Sequence, residues 1–170
     1  IQEDQIELMG MSEASPAPLL AGQVDAMLGY TEDQPVIVEL RDYKVNRISL
    51  ADYGIDVYST NIIANEAFLK ENGDLTKRFL QASLKGWQYA IDHPDEAVAS
   101  YMAQRPESNE AFNRANFKSL MPILQSADVT KHGVGAQTLE RWTDTQDILF
   151  DLGQIKKKVD LAKLFTNAYR

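Results

Sequence analysis

The 170 residues include no cysteine and only two histidines. Without cysteine there are no disulfide staples, thiolate nucleophiles or sulfur-ligated metal sites. Long hydrophobic runs are missing too: no stretch approaches the roughly 20 apolar residues that span a bilayer. The opening Ile1-Gln2-Glu3-Asp4 lacks the basic and apolar regions of a secretory signal, so the expectation is a cytosolic protein or a chain without its original N-terminus. Cations are the minority charge, 17 Lys and Arg against 25 Asp and Glu, for a net charge of −8. Nucleic acids and anionic membrane surfaces are therefore poor partners, because binding to a phosphate backbone depends on Lys and Arg displacing counterions. Motifs of the G-x-S-x-G, P-loop, H-E-x-x-H and dinucleotide-turn kinds are absent, and no catalytic residue, metal site or cofactor is expected.

What is present suffices for one core, or one core and a fragment, since 44% of the residues are apolar. The first third reads as an α/β layer. Ile6–Met9, Val24–Gly29, Val45–Leu50 and the β-branched run Ile55–Ala64 are predicted strands. Ser15-Pro16 opens a short helix that Gly22 stops, and Val36, Ile37 and Leu40 take helical spacing within Pro35–Tyr43. From Asn65 the period becomes helical. Asp74 is the expected cap of a helix carrying the stripe Leu80, Leu84, Trp87 and Ile91, which His93-Pro94 breaks. Further helices are expected over Asp95–Gln104, over Asn109–Gln125 with Pro122 kinking or shortening it, over Gln137–Leu152, and over about Asp160–Tyr169.

His93 and His132 sit in turns without a ligand-spaced carboxylate and read as capping or solvent-facing groups. The acidic pairs Glu32-Asp33 and Asp95-Glu96 lie at helix starts, where the macrodipole favours negative charge, and adjacency in sequence does not converge two carboxylates on one bond. Lys156-Lys157-Lys158 reads as a solvated loop. More informative are the segments just beyond the predicted strands, Tyr30-Thr31-Glu32-Asp33-Gln34 and Asp52 to Tyr58, because open α/β sheets bind ligands outside their strand ends. Tyrosines there can stack on a planar ligand or pack in the core.

Several stretches in order, Pro18-Leu-Leu-Ala-Gly-Gln-Val-Asp-Ala-Met-Leu-Gly-Tyr30, Gln34-Pro35, Val45-Asn46-Arg47-Ile48, Asp52-Tyr53-Gly54, Phe79 to Ala90 with His93-Pro94, Trp142-Thr-Asp-Thr-Gln146 and Asp160 to Asn167, resemble the NMT1/THI5-like solute-binding proteins. That resemblance implies the periplasmic-binding-protein type II fold, in which two α/β lobes clamp a ligand, and a receptor, periplasmic or anchored outside the cell, that serves the membrane subunits of an ABC importer. It further implies that this chain is a C-terminal part, with residues 1–60 the remainder of the second lobe including its crossing strand, and residues 61–170 helices that pack on the first lobe. Relatives take thiamine-related pyrimidines, flavins or sulfonates. A small, planar heteroaromatic solute is expected, with Tyr30, Glu32, Asp33 and Gln34 as first-choice contacts and Tyr53, Asp56 and Tyr58 as second choices.

Two rival readings remain at this point. Eukaryotic relatives of the family make a pyrimidine precursor with a cysteine-rich motif and histidine, which the absence of cysteine here disfavours; a lone half of the receptor without transport function is the other. A half would leave the stripe on the Leu80 helix, with Phe79 and Tyr101, and the segment Val57–Ala64 without cover, so self-association is expected.

Overall fold

The computed structural model describes residues 3–11 and 13–170. Its helices, in chain order, are α1 (Ala17–Leu20), α2 (Gln34–Glu39), α3 (Glu66–Glu71), α4 (Gly73–Asp92), α5 (Pro94–Gln104), α6 (Glu110–Leu124), α7 (Ala127–His132) and α8 (Leu139–Asp151). Single 3₁₀ turns occupy Glu3–Gln5, Leu50–Tyr53 and Leu161–Lys163.

The predicted strands do not form: among the described residues none of the backbone is in a β-ladder. Ile6–Met9, Val24–Gly29, Val45–Leu50 and Ile55–Ala64 carry strand-type sequence, but a strand exists only by ladder pairing, and among the described residues these segments make none; the Ile55 N–H donation to the Leu50 carbonyl at 3.0 Å closes the turn at Leu50–Tyr53 and is not continued. Leu28, at 86% exposure, shows the consequence: the apolar side chains meant for a covered sheet face lie in solvent. The expected α/β architecture is thus represented here by its helices alone.

Helix starts follow local chemistry. Asn65 accepts from the Ala67 and Phe68 N–H groups at the head of α3, Ser126 from Val129 at the head of α7, and Thr138 from Arg141 at the head of α8. Asp74, the expected cap of α4, instead lies in its first turn and pairs with Arg78 at 3.1 Å. Asp95 and Glu96 do occupy the first turn of α5, as expected from the macrodipole. Pro122 sits near the end of α6; having no N–H, it leaves the Lys118 carbonyl without its helical donor, and the helix ends two residues on.

The terminal helix expected over Asp160–Tyr169 is a single 3₁₀ turn, which Asp160 caps by accepting from the Ala162 N–H. Its continuation is prevented from outside. The Asn167 side chain donates to the Gln137 carbonyl at 2.7 Å and accepts from the Gln137 N–H at 3.1 Å, and this two-point clasp fixes the chain in a non-helical course. Asn167→Ala is expected to destabilise the protein by about 1–2 kcal/mol, the cost of unmaking two partly exposed bonds. A urea midpoint within error of wild type would show that the clasp is incidental.

By contacts the chain divides into two compact units. Unit 1 comprises Ile1–Arg47 with Pro94–Pro122, and unit 2 comprises Ile48–His93 with Ile123–Arg170. Unit 1 buries Val36 and Val38 on α2 and Val98 on α5, and unit 2 buries Ile91 and Leu161. Both cores are thin, with no described side chain below 2% exposure. Within unit 2 the stripe on α4 is half covered. The loop at Gly135 presses on it so closely that a Cβ there would lie 2.5 Å from Leu84 Cδ2, and its φ of +73° also favours glycine. Leu84 is therefore an internal contact, and a charge placed on it would unfold unit 2 rather than expose an interface.

Candidate functional site

In unit 1 the turn Tyr30–Gln34 is built around one amide. Gln34 is 4% exposed, and its Oε1 accepts from the Tyr30 N–H at 2.9 Å. Its Nε2 donates to Asp33 Oδ2 at 2.9 Å and to the Ala14 carbonyl at 3.3 Å. Both ends of the amide are thus taken up inside the protein, and Gln34 fixes the turn instead of reaching outward. Gly29 suits the same arrangement, since a Cβ there would stand 2.5 Å from Gln34 Oε1 and the amide would have to shift.

The outer side of the turn is held by α6. Asn116 Nδ2 donates to the Glu32 carbonyl at 2.7 Å, and Ser119 Oγ donates to the Thr31 carbonyl at 3.1 Å. Arg47 adds a donor to the Thr31 carbonyl at 3.1 Å and pairs with Glu39 at 2.7 Å. What the braced turn presents is Tyr30, whose side chain is 61% exposed, with Glu32 and Asp33 half-buried beside it. An open groove of about 420 Å³ lies in the same unit, lined by Val36, Glu39, Leu40, Arg47, Ala115, Lys118 and Ser119. None of Tyr30, Glu32, Asp33 and Gln34 lines it, although Arg47 and Ser119 belong to both the groove and the support of the turn.

In unit 2 the expected residues have another setting. Tyr53 ends the 3₁₀ turn Leu50–Tyr53 and is exposed. Asp56 is paired with Arg141, whose guanidinium also lies 4.8 Å over the Tyr58 ring and 3.6 Å from Asp128. Tyr58 is fully engaged: its hydroxyl accepts from the Thr138 N–H at 2.9 Å, and its ring lies 5.2 Å from that of Trp142. Trp142 in turn donates to Gln137 Oε1 at 2.9 Å and stacks on Phe165 at 6.1 Å. These contacts tie the Asp56–Asn61 stretch to the start of α8 through side chains, with Asn61 Oδ1 accepting from Gln137 Nε2 at 3.4 Å.

Nothing in the sequence marks Asn116, Ser119, Arg141 and Gln137 as organising residues. Each acts on a partner 72 to 88 residues away or on such a partner's neighbour, and spacing along the chain carries no trace of that. The histidines stay apart: His93 ends α4 with its ring 4.5 Å from Tyr89, and His132 lies in the last turn of α7, 3.8 Å from Asp128. Among the described residues no group of three His, Asp or Glu is arranged to hold a metal. Lys158, expected in a solvated loop, pairs with Asp147 at 2.7 Å and lies over the Phe150 ring.

Comparison with known proteins sets this chain among relatives of solute-binding proteins. Residues 1–97 match the family described as NMT1/THI5 like, and the chain belongs to that family, whose fold is the type II architecture of periplasmic binding proteins. It is 26% identical over 144 residues to the formylaminopyrimidine-binding protein of Halalkalibacterium halodurans, covering 83% of this chain and 44% of that one. To the riboflavin-binding protein RibY of Chloroflexus aurantiacus it is 26% identical over 173 residues, covering 94% and 49%. A third relative has an enzyme's name: the 4-amino-5-hydroxymethyl-2-methylpyrimidine phosphate synthase of Candida albicans is 32% identical over 111 residues, covering 59% of this chain and 33% of the enzyme. The chain spans less than half the length of these curated relatives. No helix among the described residues is long and apolar enough to cross a membrane.

Proposed function

We propose that this chain is part of a solute-binding protein that delivers a small, planar heteroaromatic solute, pyrimidine-like or flavin-like, to the membrane subunits of an ABC importer, outside the cytoplasm and without catalysis. Family membership supports the binding role, and the names of the two binding-protein relatives support the class of solute. The observation that carries the placement is the exposed Tyr30 ring on a turn braced from inside by Gln34 and from outside by Asn116 and Ser119. A pre-positioned aromatic face loses little freedom when a flat ring stacks on it. Glu32 and Asp33 are the adjacent polar contacts, and Gln34 is the positioning residue. Tyr53, Asp56 and Tyr58 are a secondary candidate set; of these Tyr53 alone is free of the α8 contacts. A synthase-like reaction is disfavoured by an inventory without cysteine.

Titration calorimetry with a formylaminopyrimidine and, separately, with riboflavin tests the proposal. Weak binding is expected, with a dissociation constant of about 10 µM to 1 mM, because a typical pocket buries 70–90% of its ligand and the Tyr30 turn is open. Tyr30→Ala should weaken it by about tenfold and Tyr30→Phe by no more than about twofold, as loss of a stacking face costs about 1–1.5 kcal/mol. Tight binding indifferent to Tyr30→Ala would move the site elsewhere.

A further inference from the structure

Helix α2 holds the Tyr30 turn from both of its ends. At its first residue the Gln34 amide takes the Tyr30 N–H from inside. At its last residue the Glu39 carboxylate pairs with Arg47 Nη2 at 2.7 Å, and Arg47 returns to the turn through Nη1, which donates to the Thr31 carbonyl at 3.1 Å. The helix that supplies both holds is itself anchored, because Val36 and Val38 are buried between them.

The Thr31 carbonyl is saturated. It accepts from Arg47 Nη1 and from Ser119 Oγ, each at 3.1 Å, which uses both of its lone pairs, and Arg47 Nη1 also donates to Ser119 Oγ at 3.3 Å. The three groups close a ring of hydrogen bonds in which the hydroxyl accepts from the cation and donates to the carbonyl, so that each bond polarises the next. The neighbouring carbonyls are held as well, Tyr30 by the Asp33 N–H at 3.0 Å and Glu32 by Asn116. Only a planar fork can serve the Glu39 carboxylate with one nitrogen and the Thr31 carbonyl with the other; a lysine offers a single nitrogen for both.

We infer that Arg47 is a positioning residue for solute binding: aimed by Glu39, it fixes the outer peptide of the turn, so that the Tyr30 ring is presented in one orientation. The role rests on Tyr30 as the stacking face, and Arg47 itself touches no solute. Without Arg47 the turn keeps its course through Gln34 and Asn116, but its outer peptide gains freedom that a solute must remove on binding, and affinity falls.

NMR of the 170-residue chain, free and titrated with a formylaminopyrimidine, tests this together with urea unfolding. The Glu32 amide shares its peptide plane with the Thr31 carbonyl; its order parameter should lie near the rigid value of about 0.85 and drop by about 0.1–0.2 in Arg47→Gln, while the Tyr30 amide, held by Gln34, keeps its value. Arg47→Gln should raise the dissociation constant about fivefold, the loss of a partly solvated, charge-assisted bond, and Arg47→Lys at least about twofold. Lys118→Gln, which removes a neighbouring cation that makes none of these bonds, should leave it unchanged. Exchanging the pair, Glu39→Arg with Arg47→Glu, should restore the urea midpoint but not the affinity, because a carboxylate at position 47 has no hydrogen for the Thr31 carbonyl. An unchanged Glu32 order parameter in Arg47→Gln overturns the inference whether or not a solute binds. Affinity that recovers in the exchanged pair, or that Lys118→Gln lowers equally, also overturns it, since Arg47 would then be a general stabilising charge. Binding sensitive to Tyr30→Ala but not to Arg47→Gln refutes the role alone, whereas binding indifferent to Tyr30→Ala removes the site and the role together.

Discussion

Gln34→Glu is expected to cost about 3–4 kcal/mol at pH 7 and markedly less below about pH 4, because it leaves a buried polar group facing a like charge. In the native turn the Gln34 Nε2 donates to Asp33 Oδ2 at 2.9 Å, while Oε1 accepts from the Tyr30 N–H. Exchange of the amide for a carboxylate preserves the second bond and turns the first into a repulsion. The introduced carboxyl then has a folded pKa above its unfolded value, so the folded state holds the proton more tightly. The penalty is absent where the group is protonated in both states and grows as pH rises through the unfolded value of about 4.3. Gln34→Leu, which is uncharged, should lose about 2 kcal/mol independently of pH, mainly from the Tyr30 N–H left without an acceptor. Urea unfolding of both variants between pH 3.5 and 7.5 distinguishes the two terms. Equal, pH-independent losses would mean that Asp33 turns away from position 34 and that the turn is not built on this amide. Because the same amide orients the Tyr30 backbone, both variants should also weaken solute binding, whereas Asn167→Ala should not.

The residues that organise this turn show what a sequence can and cannot reveal. The stripe Leu80, Leu84, Trp87 and Ile91 announces α4 because a helix is a local structure and its period is written in consecutive residues. The end of α8 is equally legible in Leu152-Gly153, and its start lies within two residues of the expected Gln137. Boundaries set by a competing partner are not legible in this way. Asn167 shortens the last helix through Gln137, thirty residues earlier, and α7 is six residues long with too few apolar positions to show a period. The strand readings failed for a different reason. Val24–Gly29, Val45–Leu50 and Ile55–Ala64 have the composition of strands, but composition describes a preference, and a ladder needs a second backbone that these residues do not supply to one another. At the candidate site, Tyr30, Glu32, Asp33 and Gln34 could be picked out by their place after an apolar run. That Gln34 would be buried and consumed internally could not, since it depends on Ala14 and on the direction of a side-chain amide.

Trp142→Ala should destabilise unit 2 by about 3 kcal/mol, near the lower end of aromatic-to-alanine losses because the indole is only half-buried. Three contacts disappear together: the Tyr58 ring at 5.2 Å, the Phe165 ring at 6.1 Å, and the hydrogen bond to Gln137 Oε1. The last matters beyond its own energy, since Gln137 is also tied to Asn61 and, through its backbone, to Asn167. Loosening Gln137 should therefore release the 56–61 stretch and the chain end together. Arg141 cannot compensate, because its pairing with Asp56 is partly solvated, with side chains 29% and 63% exposed, and such pairs contribute about 1 kcal/mol or less. A double-mutant cycle with Tyr58→Ala isolates the ring pair, for which a coupling of about 1 kcal/mol is expected. Trp87 is the other tryptophan, so a Trp87→Phe background leaves Trp142 as the sole indole reporter. In that background Tyr58→Ala should shift its emission to the red as water reaches the ring. Strictly additive losses, with no change in emission, would mean that Tyr58 and Trp142 are neighbours without coupling and that the 56–61 stretch is held by its ion pair instead.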